Sequence, residues 1–219
     1  MQIGVLGGTG PAGSGLAVRL ASVGFDVVVG SRSKYRAMEV ADKLLNKWPD
    51  RALSIEAGDN HTAASAEVVF VATPWDAAAS TVKECERELK GKVVISMANA
   101  LARVGHEFQP LVPPRGSVAA SVQAAIPRSL VAASMHHVPA AELGDIGHPV
   151  ESDVLVCSDH TSATATTIDI VSKIPDLRAV DAGELSNAAP IEAFAAVLLQ
   201  VNMKYRTRVA IRFTGLDDI

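Results

Sequence analysis

Three glycines near the beginning of the sequence have the spacing of an anion-binding turn. The motif follows an apolar run at residues 2–6 and consists of Gly8, Thr9, Gly10, Pro11, Ala12 and Gly13. Between a strand and a helix, Gly8 permits a tight turn, Gly10 lets backbone approach a pyrophosphate, and Gly13 lets the helix pack closely on the strand. The helix N-terminus adds free N–H groups and a partial positive charge. The motif predicts a dinucleotide site; the alternative is a structural turn without a ligand.

A basic cluster after the second apolar run indicates which dinucleotide is expected. Ser31 and Arg32 follow that run, and Arg36 lies one helical turn later. An NAD site has Asp or Glu here to hold the ribose 2′-hydroxyl, whereas the nearest carboxylate, Asp26, begins the strand at the wrong end of the sheet. Guanidinium and hydroxyl groups bind a 2′-phosphate through charge-assisted hydrogen bonds worth about 1.5–3 kcal/mol each. We therefore predict NADP(H) over NAD(H); the alternative is a solvated basic start to a surface helix.

The elements that must position these residues alternate between short apolar runs and longer helical patterns. Predicted strands lie at 2–6, 25–29, 53–57, 68–72, 93–97 and 130–135. Predicted helices lie between them at 11–23, 37–48, 77–89 and 117–126. This series of βα units predicts an α/β fold of the Rossmann type, in which a doubly wound, mostly parallel sheet has helices on both faces.

The pattern changes beyond residue 103, where Pro110, Pro113 and Pro114 indicate a surface connection. The strand at 130–135 is expected to complete the first sheet. Later patterns predict strands at 154–157 and 177–180, helices at 162–173 and 190–205, and a candidate last strand at 209–213. Asp159 and His160 are expected to cap the helix that follows them.

These patterns predict two parts of unequal size. Residues 1–140 are expected to form the dinucleotide-binding domain, and residues 141–219 a smaller C-terminal α+β lobe. The second part holds mostly small and apolar residues, which suit the covering of a flat second cofactor better than acid–base chemistry.

Weaker candidates follow the later strands. Trp75 is expected either to form a wall for a planar ring or to pack at a loop corner, and small residues at 97–101 leave room for a ring. His136 and His137 end the sixth predicted strand, where neighbouring side chains point to opposite faces. One histidine is therefore expected to face the crevice and the other to pack, and no metal site is predicted.

The composition excludes several classes of protein. Of 219 residues, 48% are hydrophobic and 20% are charged, which excludes an intrinsically disordered chain. No apolar run approaches the ~20 residues of a membrane-spanning helix, and no basic leader indicates a signal peptide. A net charge of −4 without a basic tract argues against nucleic acid as a partner. Cys85 and Cys157 are expected to be reduced thiols, with Cys157 in the core, so we expect a globular cytoplasmic protein.

Several segments resemble one known family in the same order along the chain. Residues 3–32, IGVLGGTGPAGSGLAVRLASVGFDVVVGSR, resemble the opening of the NADPH-dependent coenzyme F420 reductases, also called F420:NADP oxidoreductases. Similar landmarks are VATPWDAA, VAASMHHVPA, DVLVCSD and DAGELSNA. The ending VNMKYRTRVAIRFTGL is most similar to actinobacterial members.

The resemblance implies a set of cofactor-binding positions. NADP phosphates would lie on Thr9, Gly10, Pro11 and Ala12, and the 2′-phosphate on Ser31, Arg32 and Arg36. The inner end of NADP would lie near Trp75, Ala79, Leu101 and Ala140. The deazaflavin would lie beside His136 and Val138, with the loop at 185–187 as a cover. The segment at 97–101 departs from archaeal members, where it contains a proline. Family members are usually cytoplasmic homo-oligomers; the helix at 190–205 is either an interface or core.

The implied reaction is direct hydride transfer between nicotinamide C4 and deazaflavin C5. The cofactors supply the chemistry and the protein supplies their placement, so no catalytic acid or base is expected to be essential. His136 is the candidate orienting residue. Two alternatives remain open: an NADPH-dependent reductase of another acceptor, such as a flavin, a ferric complex or an imine, and a non-catalytic NADP(H)-binding protein.

Overall fold

Runs of β-branched residues build the centre of a mostly parallel sheet. The computed structural model describes residues 1–216. The strands are β1 Gln2–Leu6, β2 Asp26–Ser31, β3 Ile55–Asp59, β4 Val68–Val71, β5 Val93–Ser96, β6 Leu101–Val104, β7 Glu107–Pro110, β8 Leu130–Ala133, β9 Ser152–Ser158 and β10 Leu177–Asp181. Eight of them form one sheet in the order β10-β9-β8-β5-β4-β1-β2-β3. Neighbours pair in parallel except β8 and β9, so the predicted α/β class with a mostly parallel sheet is confirmed.

Helices cover both faces of this sheet. They are α1 Pro11–Ser22, α2 Lys34–Lys47, α3 Asn60–Ala64, α4 Trp75–Glu84, α5 Glu86–Leu89, α6 Val118–Ala125, α7 Ala140–Leu143, α8 Thr161–Ser172 and α9 Ala188–Tyr205. One core cluster joins α1, α2 and α8 to the sheet, and a second joins α3, α4 and α6 to its other face. Because the central strands are buried on both sides, they read as continuous apolar runs; all four residues of β4 are buried.

The sheet continues past β8, so the expectation that this strand completes it is wrong. β9 pairs antiparallel with β8, with Ala132 opposite Ser158, and β10 then pairs in parallel with β9. An apolar pattern predicts that a strand exists but carries no information about its neighbour, which explains the error. The division of the chain at residue 140 stays a prediction.

The expected surface connection is present as a mostly exposed segment at 111–117, but two details of the connecting segments differ from expectation. The predicted surface connection after residue 103 begins with a hairpin, in which β6 and β7 pair antiparallel around Gly105 with a φ of 59°. Residues 209–213 form no strand in the described part of the chain. They are held instead by Asp153, whose backbone N–H donates to the Ile211 carbonyl at 2.7 Å and whose carboxylate accepts from the Phe213 N–H at 2.6 Å.

A buried arginine fixes the segment that follows β8 against α1. Arg19 is 2% exposed, and its guanidinium donates to the carbonyls of Glu142, Leu143, Asp145 and His148 at 2.6–3.2 Å. Four carbonyl acceptors satisfy a charge that would otherwise be costly to bury. Arg19 therefore holds α7 and the turn after it at a fixed position on α1.

Candidate functional site

Three positions in the turn, Gly7, Gly8 and Gly13, require glycine for steric reasons. Gly7 has a φ of 70°, so the tight turn requires glycine at this position rather than at Gly8 as expected. A Cβ on Gly8 would lie 3.0 Å from the Val5 carbonyl oxygen, and one on Gly13 would lie 2.8 Å from the Gly7 carbonyl oxygen. Gly8 and Gly13 therefore permit close packing within the protein.

Gly10 differs from these glycines because the space beside it is open. A Cβ there would meet only the Gly7 carbonyl oxygen, at 3.8 Å. Gly10 is also the N-cap of α1, with no side-chain capping bond, and Pro11 begins the helix. The first-turn N–H groups of Ala12 and Gly13 therefore have no acceptor within the helix. An open approach to free N–H groups fits a bound anion such as a pyrophosphate.

The end of β2 carries the predicted basic cluster. Ser31 is buried, whereas Arg32 and Arg36 are exposed. Neither arginine takes part in the ion pairs found within residues 1–216. Asp26 begins β2, as expected, and so lies at the opposite end of the strand from Ser31.

One acidic residue does lie beside Ser31, on the neighbouring strand. Asp59 is opposite Ser31 in the β2–β3 register. Its carboxylate accepts hydrogen bonds from the Thr62 N–H and hydroxyl, both at 2.8 Å, and these bonds hold its pKa below the ordinary value. Asp59 therefore serves as the N-cap of α3.

One cleft brings the glycine turn and the basic cluster together. Its volume is about 570 Å³. The predicted site residues that line it are Thr9, Gly10, Ser31, Arg32 and Arg36. The geometry fits an extended dinucleotide with phosphates at both the glycine turn and the basic rim.

Two further residues line this cleft. Asn60 was not identified from the sequence, whereas Thr73 begins the segment at 73–76, which is expected at the ligand-binding end of a strand. Asn60 is 7% exposed, and its amide oxygen accepts from the Gly7 N–H at 3.5 Å, so it supports the turn. Thr73 lies against Gly7, where a Cβ would come within 2.9 Å of the Thr73 Cα. Their positions after β3 and β4 were the only available signal, since ligands bind at the carboxyl ends of parallel strands.

Trp75 and Ala79 lie on a neighbouring cavity of about 410 Å³ instead. Pro113 and Arg115 also line it, and Asp76 lines both this cavity and the 570 Å³ cleft. Trp75 also packs against the core on the α4 side of the sheet. The indole therefore packs against the core and lines a cavity, and its role as a wall for a planar ring stays a prediction.

The two histidines lie in a turn after β8, not at the end of the strand. Both are buried, at 4% and 6% exposure. His137 packs as a structural residue, because its Nε2–H donates to the Asp153 carbonyl at 2.8 Å. Neither ring nitrogen of His136 completes a hydrogen bond with any residue in the described part.

Burial changes the chemistry of His136. Desolvation, with a smaller contribution from His137, lowers the pKa of His136 to about 3, against weak opposing contacts with the carbonyls of Met97 and Ala98. The imidazole is therefore neutral at physiological pH. Such a ring can pack against or orient a ligand, but it does not supply a proton near neutrality.

Pro11 and Ala12, in the first turn of α1, follow Gly10 but do not themselves line the 570 Å³ cleft. Three further predicted positions also lie outside it: Leu101 at the start of β6, Val138 in the turn after His137, and Ala140 at the start of α7. The Ala140 carbonyl packs against Gly15, where a Cβ would lie 2.7 Å away. These positions follow β5 and β8, whose carboxyl ends share an edge of the sheet with the cleft.

The predicted covering loop is a short 3-10 turn at Leu185–Asn187. Asp159 does not cap α8 as expected, because its carboxylate accepts from the Leu185 N–H at 2.9 Å. His160 occupies the N-cap position without a side-chain capping bond. Asp159 therefore anchors this turn to the end of β9.

Two features are absent from residues 1–216. No group of three or more His, Cys, Asp or Glu side chains is arranged to hold a metal ion. None of the helices described there combines the length and apolar character needed to cross a membrane.

Comparisons with known proteins agree with this geometry. Residues 2–100 match the family model described as NADP oxidoreductase, coenzyme F420-dependent. The F420-dependent NADP reductase of Methanocaldococcus jannaschii is 37% identical over 99% of this chain and 100% of its own length. The protein of that name from Methanothermobacter marburgensis is 35% identical over all of both chains. A crystal structure from Arthrobacter sp. FB24 has the same fold, with a TM-score of 0.80 and 23% identity over 97% of this chain and 100% of that one.

Proposed function

This chain belongs to the F420-dependent NADP reductase family, and from that premise we propose that it is an oxidoreductase that transfers a hydride between NADP(H) and coenzyme F420. The observation that carries the proposal is the cleft that joins an open glycine turn to Ser31, Arg32 and Arg36. Those features suit a dinucleotide that has a 2′-phosphate. Family membership supplies the second substrate.

The NADP site uses the two ends of this cleft. Thr9 and Ala12 bind the pyrophosphate through their backbone N–H groups. Gly10 keeps the approach open, and Pro11, which has no N–H, begins the helix beside it. Ser31, Arg32 and Arg36 bind the 2′-phosphate. Gly8 and Gly13 support the site indirectly, because their missing side chains allow the turn to pack.

The inner end of the site follows β4, β5 and β8. Trp75, Ala79, Leu101 and Ala140 surround the nicotinamide half, and His136 and Val138 lie beside the deazaflavin. When bound, the two rings supply a hydride donor and acceptor carbon, and the protein holds these carbons at about 3–3.5 Å.

No side chain is required to move a proton in the hydride step. The low pKa of His136 supports this, since the ring is neutral throughout the working range. We expect a His136→Ala variant to bind both cofactors and to keep measurable turnover in a steady-state assay. Loss of all turnover with both cofactors still bound would instead assign His136 a catalytic role.

The direct test mixes the purified protein with NADPH and oxidised F420 and follows the visible absorption of the deazaflavin. Rapid bleaching with NADPH, and slow or no bleaching with NADH, is the expected result. FMN, FAD, a ferric chelate and a cyclic imine are the control acceptors. NADPH binding without F420 reduction would contradict the assignment of F420 as the hydride acceptor. Turnover of a control acceptor would then identify the alternative reductase activity.

The chain also has a surface suited to self-association. Phe194, Val197, Met203 and Tyr205 on α9 are 40–66% exposed although they are large and apolar. Val104 and Val112, in and after the β6–β7 hairpin, are 53% and 84% exposed. Large exposed apolar side chains of this kind are typical of protein interfaces. We therefore propose a homo-oligomer that buries α9 between copies.

The same assignments give different functions to the two parts of the chain. Residues 1–140 form the NADP-binding domain, and residues 141–219 the smaller part that covers the deazaflavin and carries α9. Cys85 and Cys157 are both free and buried, which suits a reducing compartment, and the reaction takes place in the cytoplasm. Limited proteolysis that cuts near residue 140 would support the division.

A further inference from the structure

Asn99 lies three residues past the end of β5 and is held in one orientation. Its Nδ2 donates a hydrogen bond to the carbonyl oxygen of His136 at 2.7 Å. A carbonyl oxygen can only accept, so this contact distinguishes the amide nitrogen from the amide oxygen. The Oδ1 atom therefore points away from the His136 carbonyl.

That oxygen has no partner. Asn99 Oδ1 is buried and makes no hydrogen bond with any residue among 1–216. Leaving a buried acceptor unpaired is costly, so such atoms usually indicate a ligand or a bound water. Of the ten buried unpartnered side-chain atoms found in that range, six belong to residues 96–99 and 134–137. The ends of β5 and β8 therefore concentrate unmet polar groups in one part of the molecule.

Asn99 lies on the same edge of the sheet as the dinucleotide cleft. β5 lies between β4 and β8, and the Met97 N–H donates to the Val71 carbonyl at 3.2 Å. Ala72 and Thr73, which follow Val71, line the cleft. A dinucleotide that extends inward from the glycine turn therefore reaches the segment of Asn99 after it passes the end of β4.

We propose that Asn99 is a specificity-determining contact for the nicotinamide ring, with Oδ1 accepting a hydrogen bond from the carboxamide N–H of NADP(H). The carboxamide is the donor at the inner end of that cofactor. Because the same side chain holds the His136 carbonyl, it also links the nicotinamide to the turn that carries His136. The proposal rests on the proposed use of NADP(H), but not on the identity of the acceptor.

The test compares NADP⁺ with its 3-acetylpyridine analogue, in which an acetyl group replaces the carboxamide and cannot donate. Equilibrium binding is measured by calorimetry, without F420. We expect the wild type to bind NADP⁺ about ten-fold more tightly than the analogue, as for one hydrogen bond to a buried acceptor. We expect Asn99→Ala to lose affinity for NADP⁺ and to bind the two ligands about equally.

A second variant separates the two roles of the amide. Asn99→Asp keeps an acceptor and loses the donor to the His136 carbonyl, so it is expected to keep the preference for NADP⁺. A Gln200→Ala variant, which removes an unpartnered amide oxygen on α9, is the matched control and should keep the wild-type ratio. Thermal melting checks that each variant is folded.

Several outcomes would overturn the assignment. Equal affinity of the wild type for NADP⁺ and the analogue would do so without any variant. If folded Asn99→Ala keeps the wild-type ratio of affinities for NADP⁺ and the analogue, Asn99 only supports the turn that carries His136. A rise in the KM for F420 alone would move the contact to the deazaflavin. If the ratios behave as expected but F420 is not reduced, the proposed reaction fails and the assignment of Asn99 stands.

Discussion

At the scale of single residues, cofactor choice depends on exposed positive charge at the rim of the cleft. Arg32 and Arg36 reach solvent and line the cleft, and no ion pair described within residues 1–216 includes either of them. A 2′-phosphate could therefore bind these guanidinium groups without breaking an existing ion pair. The energy of one charge-assisted hydrogen bond, about 1.5–3 kcal/mol, sets the size of the expected effect.

Replacing Arg32 with Ala should weaken NADPH binding about ten- to hundred-fold and NADH binding by less than about three-fold, because only NADPH carries the 2′-phosphate. Dissociation constants from fluorescence titration measure both. Lys34→Ala, which removes a neighbouring exposed charge at the start of α2, is the matched control. Equal losses for both cofactors would contradict the assignment of Arg32 to the phosphate.

His136 should make the protein sensitive to acid. Its pKa is about 3 in the folded protein against an ordinary 6.5, so the unfolded chain binds the proton more strongly. The stability contributed by the neutral ring is complete above pH 6.5 and is lost as the pH falls toward 3. We expect the free energy of unfolding to fall more steeply between pH 7 and 4 in the wild type than in His136→Gln. Denaturant titrations at both pH values measure it, and parallel slopes would contradict the burial of a neutral ring.

At the scale of elements, the turn between β1 and α1 separates packing from ligand binding. A Cβ at Gly13 would lie 2.8 Å from both the Gly7 oxygen and the Gly8 Cα, whereas a Cβ at Gly10 would find its nearest atom at 3.8 Å. The two glycines of this motif therefore have different structural roles. One permits the turn to fold, and the other keeps its surface open.

This difference predicts opposite behaviour of two alanine variants. Gly13→Ala should lower the melting temperature by several degrees, because α1 must shift away from the turn. Gly10→Ala should melt near the wild type and still lose most NADPH affinity, because its methyl group occupies the anion site. Thermal melting with and without NADPH measures both effects. Full NADPH binding by Gly10→Ala would show that the pyrophosphate does not lie there.

The elements near the start of the chain could be predicted because local pattern determines them. The motif at Gly8–Gly13, its strand and its helix were predicted within about two residues, and so was the basic cluster. Contacts between distant residues could not be predicted. Glu192 illustrates this: its buried carboxylate accepts from the N–H groups of Val118 and Ala119 at 2.8 and 3.0 Å, and burial raises its pKa to about 7. Nothing near residue 192 indicates that its partners lie on α6.

At the scale of the whole molecule, the C-terminal part extends the first sheet and carries the apolar surface of α9. The sequence predicted β9, β10 and α9, but the antiparallel step from β8 to β9 depends on edges that only the folded chain brings together. The role of residues 209–213 was mistaken for the same reason, since Asp153 holds them through side-chain bonds that resemble no strand pattern. The deazaflavin side of the candidate site depends on these long-range contacts more than the NADP side does.

The apolar surface of α9 predicts an oligomer that a single charge disrupts. Val197 is 52% exposed and lies beside the β6–β7 hairpin. Val197→Asp should convert the oligomer to a folded monomer, because a buried unpaired carboxylate is costly at an apolar interface. Met38→Asp, at a residue 46% exposed on α2, is the control and should leave the assembly intact. Sedimentation velocity at micromolar concentration measures the mass, and a monomeric wild type would contradict the interface.

An isotope experiment can show whether a hydride passes directly from one bound cofactor to the other. The protein is given oxidised F420 and NADPH that carries deuterium at both C4 positions, and the reduced F420 is analysed by mass spectrometry and NMR. Direct transfer predicts one deuterium at C5 of the deazaflavin in each molecule of product, because no side chain or solvent exchanges the transferred atom. Product without deuterium, or with label diluted by solvent protons, would contradict direct transfer.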